Sequence, residues 1–227
     1  MVDQTASGAS GPVVRRGPAR AWSHRAGDGL QAAYAWAQRV GAIGPRSRRA
    51  RRFGAFGDGS AILFPVTTLF GERHIRIGSG TIIGSHVALS AGVSPEHQLA
   101  RDTVVSIGDR CLIGRGSGIV GHESITIGDD VFTGHHVYVT DANHGYEDLD
   151  VSIGRQFSGP KPVVIGPGSW LGHGSVVLPG AHIGAHVVIG AGSVVTGEIP
   201  DHSVAVGVPA RVVRRHVPGR GWVSVDR

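Results

Sequence analysis

The sequence contains one cysteine, one methionine and few aromatic side chains, which make up 6% of its 227 residues. Cys111 has no partner in its own chain, so an internal disulfide and a cysteine-based metal cluster are excluded. No apolar run approaches the roughly 18 residues that a membrane-spanning helix needs, so we predict no transmembrane segment. Met1 is followed by polar, glycine-rich sequence without the apolar core of a signal peptide, and we therefore expect a cytoplasmic location.

Glycine and arginine are the residues present in excess. The chain holds 37 glycines, whereas an ordinary composition contains roughly 7% glycine. The net charge of +5 is unevenly distributed, because residues 1–52 carry ten arginines against two aspartates. The remainder of the chain carries twelve basic against fifteen acidic residues, so the body is mildly acidic and the N-terminal segment is basic.

The basic N-terminal segment is predicted to contain one short helix. Residues 1–20 are rich in Gly, Pro, Ala and Ser and are expected to be disordered. Apolar spacing predicts a helix over Asp28–Val40, with Asp28 as its N-cap and Gly41 as its stop. An arginine run follows within residues 46–52 and is typical of either a nucleic-acid arm or a solvated or oligomer-facing segment. We favour the second interpretation and expect no nucleic-acid partner, because few aromatic residues interleave the run.

A six-residue repeat dominates the rest of the chain. Aliphatic residues recur every six positions at Ile77, Ile83, Leu89; Ile107, Ile113, Ile119; Ile127, Thr133, Val139; and Ile165, Leu171, Val177, Ile183, Ile189, Val195, with Thr133 as the one exception. Taken in threes, the residue after the aliphatic is Gly in the first two hexads of every group and never in the third. The unit of six is therefore nested in a unit of 18 with three unequal sides.

This nested repeat predicts a triangular solenoid. Six residues suit one short strand and a corner, and glycine permits a corner with positive φ or a close backbone approach. Stacked coils would pair through parallel strands and bury their aliphatic side chains inside. Insertions of 12, two and 20 residues each follow the third hexad of a coil, so all should leave the solenoid at one edge. We predict a basic segment at 1–56, a β-helix domain at 57–200 and a C-terminal tail at 201–227.

Four stretches of sequence resemble a known family. They are Thr140-Asp-Ala-Asn-His144, Trp170-Leu-Gly, Ile189-Gly-Ala-Gly-Ser-Val-Val-Thr196 and Gly207-Val-Pro-Ala-Arg211. With the hexads, they resemble the hexapeptide-repeat acyltransferases, in the branch of the galactoside, maltose and nodulation-factor O-acetyltransferases. The resemblance implies an all-β fold, a left-handed parallel β-helix of about five or six coils with a short N-terminal helical segment and a C-terminal tail.

The resemblance also implies a function and a set of site residues. It implies an acetyl-CoA-dependent O-acetyltransferase that acts on a hydroxyl of a sugar, glycan or other small molecule, as a homotrimer and without a required metal. The position of the family's catalytic base falls on His144. The predicted acetyl-CoA-binding positions are Trp170, His173, Ala191, Thr196, Gly197, Arg211 and Arg214. His173 and Gly197 stand where the relatives have serine and lysine, so any contact there is expected through the backbone.

The chemistry of acyl transfer to an alcohol requires a base, and a histidine base requires a group that orients its second ring nitrogen. Either Asp141 or a main-chain carbonyl could orient His144, and the sequence leaves both open. The candidates for binding the acceptor are Arg115, His122, Asn143 and Tyr146. Galactoside is not supported as the acceptor, because the family's acceptor-binding asparagine and aspartate fall near Gly114 and on His122 and both differ.

Two other functions are compatible with the same fold. A zinc hydratase resembling the γ-carbonic anhydrases would use His86 and His122, but its third ligand falls on Ile127, which cannot bind a metal. A non-catalytic trimeric scaffold would use the edge of the solenoid as a binding surface. Binding of acetyl-CoA distinguishes the scaffold from the enzyme, because a ligand of the folded state raises its apparent stability.

Overall fold

The structure is a computed structural model that describes residues 19–97 and 99–225. The chain divides into two compact units between Ala37 and Gln38. Most of the predicted disordered segment, residues 1–18, lies outside the described residues. In the described part of the chain no helix is long and apolar enough to cross a membrane.

Helix α1 spans Ala19–Gly41 and ends at the predicted glycine. Its predicted start at Asp28 is wrong, because the helix already includes Ala19 and Asp28 lies inside it. The residues before Gly27 include alanine and arginine, which are strong helix formers, and a single glycine reduces helix stability without ending the helix. Leu30 and Tyr34, which the apolar spacing placed on one face, are 69% and 46% exposed in the single chain.

The second unit is built from three sheets, which we call sheets 1, 2 and 3. Sheet 1 contains, in spatial order, β1 (Ala55–Phe56), β4 (Ile75–Ile77), β7 (Val105–Ile107), β10 (Ile125–Ile127), β13 (Val163–Ile165), β16 (His182–Ile183) and β19 (Glu198–Ile199). Sheet 2 contains β2 (Ala61–Ile62), β5 (Ile82–Ile83), β8 (Leu112–Ile113), β11 (Phe132–Thr133), β14 (Trp170–Leu171), β17 (Val188–Ile189), β20 (Ser203–Val206), β21 (Arg211–Val217) and β22 (Gly221–Ser224). Sheet 3 contains β3 (Thr68–Phe70), β6 (Ala88–Ala91), β9 (Gly118–Gly121), β12 (Tyr138–Thr140), β15 (Val176–Val177) and β18 (Val194–Val195).

The chain visits sheets 1, 2 and 3 in turn, so each round of three strands stacks on the previous round. Neighbouring strands pair in parallel up to β20, with equivalent hexad positions opposite one another, as Ile107, Ile127 and Ile165 are in sheet 1. The hexad residues from Ile77 to Val195 are all at most 3% exposed. Burial of each aliphatic side chain contributes about 1.5–3 kcal/mol. The one polar hexad residue, Thr133, is satisfied because its Oγ1 accepts the Gly114 N–H at 2.8 Å.

The glycine that follows the hexad residue in the first two hexads of each coil allows neighbouring coils to approach closely. A Cβ atom at Gly134 would lie 2.6 Å from the backbone nitrogen of His173 on the next coil. The left-handed backbone conformation falls two residues later, at His136 with φ of 58° and at Gly174 with φ of 65°. The sequence left two roles open for the repeat glycine, a corner with positive φ or a close backbone approach. Gly134 has the second role.

The long connections all run from sheet 3 to sheet 1, as the spacing of the insertions predicts. Along this edge, which we call the loop edge, lie residues 71–74, the described part of the connection 92–104 (residues 92–97 and 99–104), residues 122–124 and residues 141–162, on four successive coils. The solenoid also extends one round before the hexad pattern, because β1, β2 and β3 pair with β4, β5 and β6.

The chain reverses direction after β20. Strand β21 pairs antiparallel with β20, and β22 pairs antiparallel with β21 in a hairpin. Strand β21, which carries Arg211, Arg214 and Arg215, therefore lies between β20 and the edge strand β22 of sheet 2.

Candidate active site

A cavity of about 480 Å³ lies on the loop edge beside the longest connection. It is lined by Val93, His97, His122, Tyr138, Thr140, Ala142, Asn143, His144, Phe157, Ser158, Pro160 and Leu178. The cavity thus brings together three of the predicted site residues, His144, His122 and Asn143. Its other walls are largely apolar, which is typical of small-molecule sites with a few placed polar groups.

His144 stands at the start of the long connection and is held by the returning strand of the same loop. It forms an isolated antiparallel bridge with Phe157, whose ring lies 5.4 Å from the imidazole ring, centroid to centroid. The Gln156 carbonyl oxygen lies 3.2 Å from His144 Nδ1 and also accepts the Gly145 N–H at 3.0 Å. The histidine side chain is therefore fixed on one side by backbone while it remains exposed on the cavity side.

This contact decides the tautomer of the imidazole ring. A carbonyl oxygen can only accept a hydrogen bond, so Nδ1 of His144 must donate to Gln156. In a neutral ring with the proton on Nδ1, Nε2 carries the lone pair. His144 thus has the form that a general base requires.

Asp141 does not fill the orienting role that the sequence offered for it. Its side chain is completely buried, and its carboxylate accepts the backbone N–H groups of His122, Glu123 and Ser124 at 2.7–2.8 Å. Burial alone would raise the pKa of Asp141, but the nearby His122 side chain and the hydrogen bonds from the three backbone N–H groups together lower it. Its backbone oxygen also accepts the Lys161 N–H at 2.7 Å. Asp141 therefore ties the base of the His144 loop to the coil before it.

Gln156 is a site residue that the sequence did not indicate. Besides its carbonyl contact to His144, its side-chain amide donates to the carbonyl oxygens of Asp148 and Val151 at 2.7 Å each. It also accepts the Asp148 N–H at 3.1 Å. One residue therefore organises the tip of the loop and orients the histidine. Nothing in its sequence surroundings distinguishes it from an ordinary loop glutamine.

The other two acceptor candidates lie outside this cavity. Arg115 is at the corner between sheets 2 and 3, at the opposite end of the sheet 3 strands from the loop edge, where its carbonyl accepts the His136 N–H at 2.9 Å. Tyr146 is on the outer part of the loop and is 71% exposed. His122 does line the cavity, and its Nδ1 lies 3.4 Å from Asp141 Oδ1 without hydrogen-bond geometry.

The predicted acetyl-CoA positions fall into two groups, and none of them lines the His144 cavity as the described residues form it. His173 and Ala191 lie at the corner where β15 and β18 begin, and Thr196 and Gly197 follow β18 at the loop edge. These four residues therefore flank the outer face of sheet 3. Trp170, Arg211 and Arg214 belong instead to sheet 2.

The histidines proposed for a zinc site are separated by the fold. His86 precedes β6 at one end of sheet 3, whereas His122 follows β9 at the other end. Within residues 19–97 and 99–225, no three His, Cys, Asp or Glu side chains form a group that could hold a metal ion. The hydratase alternative has no ligand set in this part of the chain.

Comparison with protein families finds the repeat on both sides of the His144 loop. The family described as "Hexapeptide repeat of succinyl-transferase" matches residues 104–140, and the family described as "Bacterial transferase hexapeptide (six repeats)" matches residues 162–197. Both matches cover strands of the solenoid. The connection that carries His144 lies between them.

Curated relatives share the same region. The galactoside O-acetyltransferase of Lactococcus lactis is 37% identical over an alignment of 144 positions, and the alignment covers 53% of this chain and 69% of that protein. A probable acetyltransferase of Mycobacterium tuberculosis is 39% identical over 115 residues, which are 51% of this chain but only 38% of the relative.

A solved structure has the same architecture. A variant of AntD, an N-acyltransferase from Bacillus cereus in complex with dTDP and coenzyme A, superposes with a TM-score of 0.62. The superposition covers 78% of this chain and 93% of AntD at 19% sequence identity. At this identity the likeness bears on the fold alone.

Proposed function

The chain belongs to the hexapeptide-repeat transferase family, and on this premise we propose that it is an acetyl-CoA-dependent O-acetyltransferase with a left-handed parallel β-helix. Its acceptor is a hydroxyl of a sugar, glycan or other small molecule, and a cytoplasmic location stays a prediction. The observation that carries the proposal is the His144 geometry. A carbonyl oxygen fixes the Nδ1–H of His144, so the lone pair of Nε2 is available at a cavity of about 480 Å³.

In this proposal His144 moves the proton of the reaction. Nε2 accepts the proton of the acceptor hydroxyl while the hydroxyl oxygen forms its bond to the acetyl carbon. The imidazolium then returns the proton to the departing thiolate sulfur, so the base is regenerated. The Gln156 carbonyl keeps the ring in one orientation and stabilises the imidazolium through the Nδ1–H bond.

Acetyl-CoA, as co-substrate, supplies the acetyl thioester. The outer face of sheet 3 suits its binding, because a Cβ atom at Gly174, Gly192 or Gly197 would meet nothing within 4 Å. The backbone at the start of β15 and at both ends of β18 is therefore open to a ligand. His173, Ala191, Thr196 and Gly197 would contact the ligand there, mainly through backbone groups.

The placement of the remaining candidates supports a homotrimer. Trp170 lies on the outer face of sheet 2, where in a trimer it would face sheet 3 of a neighbouring copy of the chain. Leu112, Phe132 and Trp170 pair in register on the outer face of sheet 2 and are 38%, 48% and 48% exposed. A contiguous exposed apolar stripe is typical of an interface. Arg211 and Arg214, on the same sheet, would then contribute cationic groups for phosphates.

The proposal is tested by acetyl transfer with a free-thiol readout. The protein is incubated with acetyl-CoA and a panel of hydroxylated acceptors, and His144→Ala is compared with His182→Ala, an exposed histidine on sheet 1 outside the cavity. We expect the first substitution to lower kcat about 10²–10⁴-fold, the usual contribution of a general base, with an unchanged fold. Near-normal turnover by His144→Ala would refute its role. Absence of a thermal shift with millimolar acetyl-CoA would favour a scaffold instead.

A further inference from the structure

A second and larger cleft lies on the loop edge and is not used by the chemistry above. Its volume is about 870 Å³, and its polar lining includes Arg49, Arg52, Arg73, Glu72, His74 and His97. We call it the arginine cleft. Two of its lining residues, Arg49 and Arg52, belong to the basic run within residues 46–52. The proposed reaction assigns no role to these two arginines.

Two of the three guanidinium groups are only loosely paired. Arg49 and Arg52 lie 3.9 and 4.0 Å from the same Glu72 carboxylate oxygen, which is beyond hydrogen-bond distance. Their side chains are 50% and 68% exposed, whereas that of Glu72 is 14% exposed. Such exposed pairs contribute little to stability. The largely buried carboxylate of Glu72 thus lies near two guanidinium groups without accepting a hydrogen bond from either of them.

The third guanidinium group is held in place by a buried histidine. Arg73 Nε donates to His74 Nε2 at 2.7 Å, and His74 Nδ1 lies 2.7 Å from the Arg101 carbonyl oxygen. Because Nε2 accepts, Nδ1 carries the proton and donates to that oxygen. No carboxylate among the described residues lies within ion-pair distance of Arg73, and Glu96 is the second acidic residue of the lining. Three arginines therefore face two carboxylates, and the cleft carries a positive excess.

The arginine cleft and the His144 cavity adjoin each other. His97, on the connection 92–104, lines both of them. The connection 71–74 at the cleft and the connection 141–162 at the cavity are three coils apart on the same edge. At the spacing of neighbouring strands, three coils correspond to roughly 14 Å. A ligand that occupied both would be longer than one sugar ring.

We propose that the arginine cleft binds an anionic group, a carboxylate or a phosphate, of an extended acceptor whose hydroxyl reaches His144. This inference rests on the proposed function and adds a substrate class to it, an acidic oligosaccharide or a similarly extended acid. A guanidinium fork matches both carboxylate and phosphate, so the cleft recognises their shared charge and geometry. Neutral acceptors of the same length lack this contact.

The test measures binding and turnover separately on the full chain. Calorimetric titrations use tetragalacturonate, maltotetraose with a terminal phosphate, and neutral maltotetraose, against the wild type and the variants Arg49→Gln, Arg52→Gln and Arg51→Gln. Arg51 is the matched control because it is exposed and adjacent to Arg52 but does not line the cleft. All three variants lose the same charge, so a nonspecific electrostatic effect would appear in each.

We expect at least one of the two charged probes to bind more tightly than neutral maltotetraose. Tighter binding of tetragalacturonate would identify the anion as a carboxylate, and tighter binding of the phosphorylated probe would identify it as a phosphate. Arg49→Gln and Arg52→Gln should each weaken the binding of that probe about tenfold, which is the loss of one charge-assisted contact, and Arg51→Gln should change it less than twofold. The inference would be overturned if all three variants lost the same amount of affinity. It would also be overturned if the charged and neutral probes bound with equal affinity or did not bind at all. Acetylation of the charged acceptors that is unaffected by Arg49→Gln and Arg52→Gln would overturn the inference and leave the proposed function intact. Arginine-dependent binding of a charged probe without any acetyl transfer would leave the anion-binding site intact and overturn the proposed function.

Discussion

Replacement of Asp141 by asparagine tests how the His144 loop is anchored. Asparagine has the same shape as aspartate, so the change removes the charge and one acceptor oxygen without creating a cavity. In the wild type, Oδ2 accepts two backbone N–H groups, from Glu123 and Ser124, and Oδ1 accepts the third, from His122. In the Asp141→Asn variant, the side-chain amide can keep its oxygen on Glu123 and Ser124 only by turning its NH₂ group against the His122 N–H.

The expected loss follows from these three bonds. One buried donor loses its partner, which costs about 1–3 kcal/mol, and two charge-assisted bonds become neutral ones, which are weaker by roughly 1 kcal/mol each. Removal of a buried charge offsets part of this cost. We therefore expect Asp141→Asn to lower the free energy of unfolding by about 2–4 kcal/mol at neutral pH.

The same substitution has a predicted pH dependence. The pKa of Asp141 in the folded protein is lowered from its ordinary value of 3.8, so its carboxylate stabilises the fold above that value. This contribution is lost as the pH falls from 3.8 through the lower pKa of the folded state. Asp141→Asn does not titrate there, so the difference between wild type and variant should shrink in that range.

The measurement is urea unfolding of both proteins at neutral pH and across the acid range, with Asp130→Asn as control. Asp130 also has a lowered pKa, because Arg110 binds both of its carboxylate oxygens at 2.7 Å, but this pair is exposed. The control should therefore change stability much less. A loss for Asp141→Asn no greater than that of the control, or a difference that does not depend on acid pH, would refute the role assigned to Asp141.

Three further predictions concern the interface, the coil spacing and the thiol. Phe132→Arg should dissociate the proposed trimer, whereas Thr126→Arg, on the polar outer face of sheet 1, should not. Light scattering measures the mass of each variant, and an unchanged assembly of Phe132→Arg would contradict the proposed interface. Gly134→Ala should cost about 1–3 kcal/mol through overpacking, whereas Gly197→Ala, with open space around it, should be tolerated in thermal unfolding. Cys111 is buried and burial raises the pKa of its thiol, so a thiol reagent should modify it slowly until the protein is unfolded; rapid native modification would contradict this burial.

The repeat made much of the fold predictable from the sequence. Ile107, Ile127 and Ile165 occupy equivalent positions because a six-residue period allows only one way to bury aliphatic side chains on successive coils. The same period located the loop edge, whereas His144 was predicted from the resemblance to the acyltransferase family. The first round of strands, β1 to β3, does not show the hexad pattern in the sequence. Its second corner contains Phe64 and Pro65 in place of the usual glycine motif.

Contacts between distant parts of the chain could not be predicted from the sequence. Asp141 is close to His144 in sequence, yet its hydrogen bonds go to the preceding coil. Gln156 reaches His144 only because the loop folds back on itself as an isolated bridge. The arginine cleft likewise depends on the connection 92–104 lying beside Arg49 and Arg52, which no local pattern encodes.

The antiparallel hairpin after β20 has a consequence for self-association. A column of identical parallel rungs offers its last strand as a template on which another chain could continue the growth. In sheet 2 that template is occupied by β21, which runs in the opposite direction and carries Arg211, Arg214 and Arg215. Strand β22 then pairs with β21 and forms the edge, so this end of sheet 2 closes in an antiparallel hairpin and presents no further parallel rung for another chain to extend.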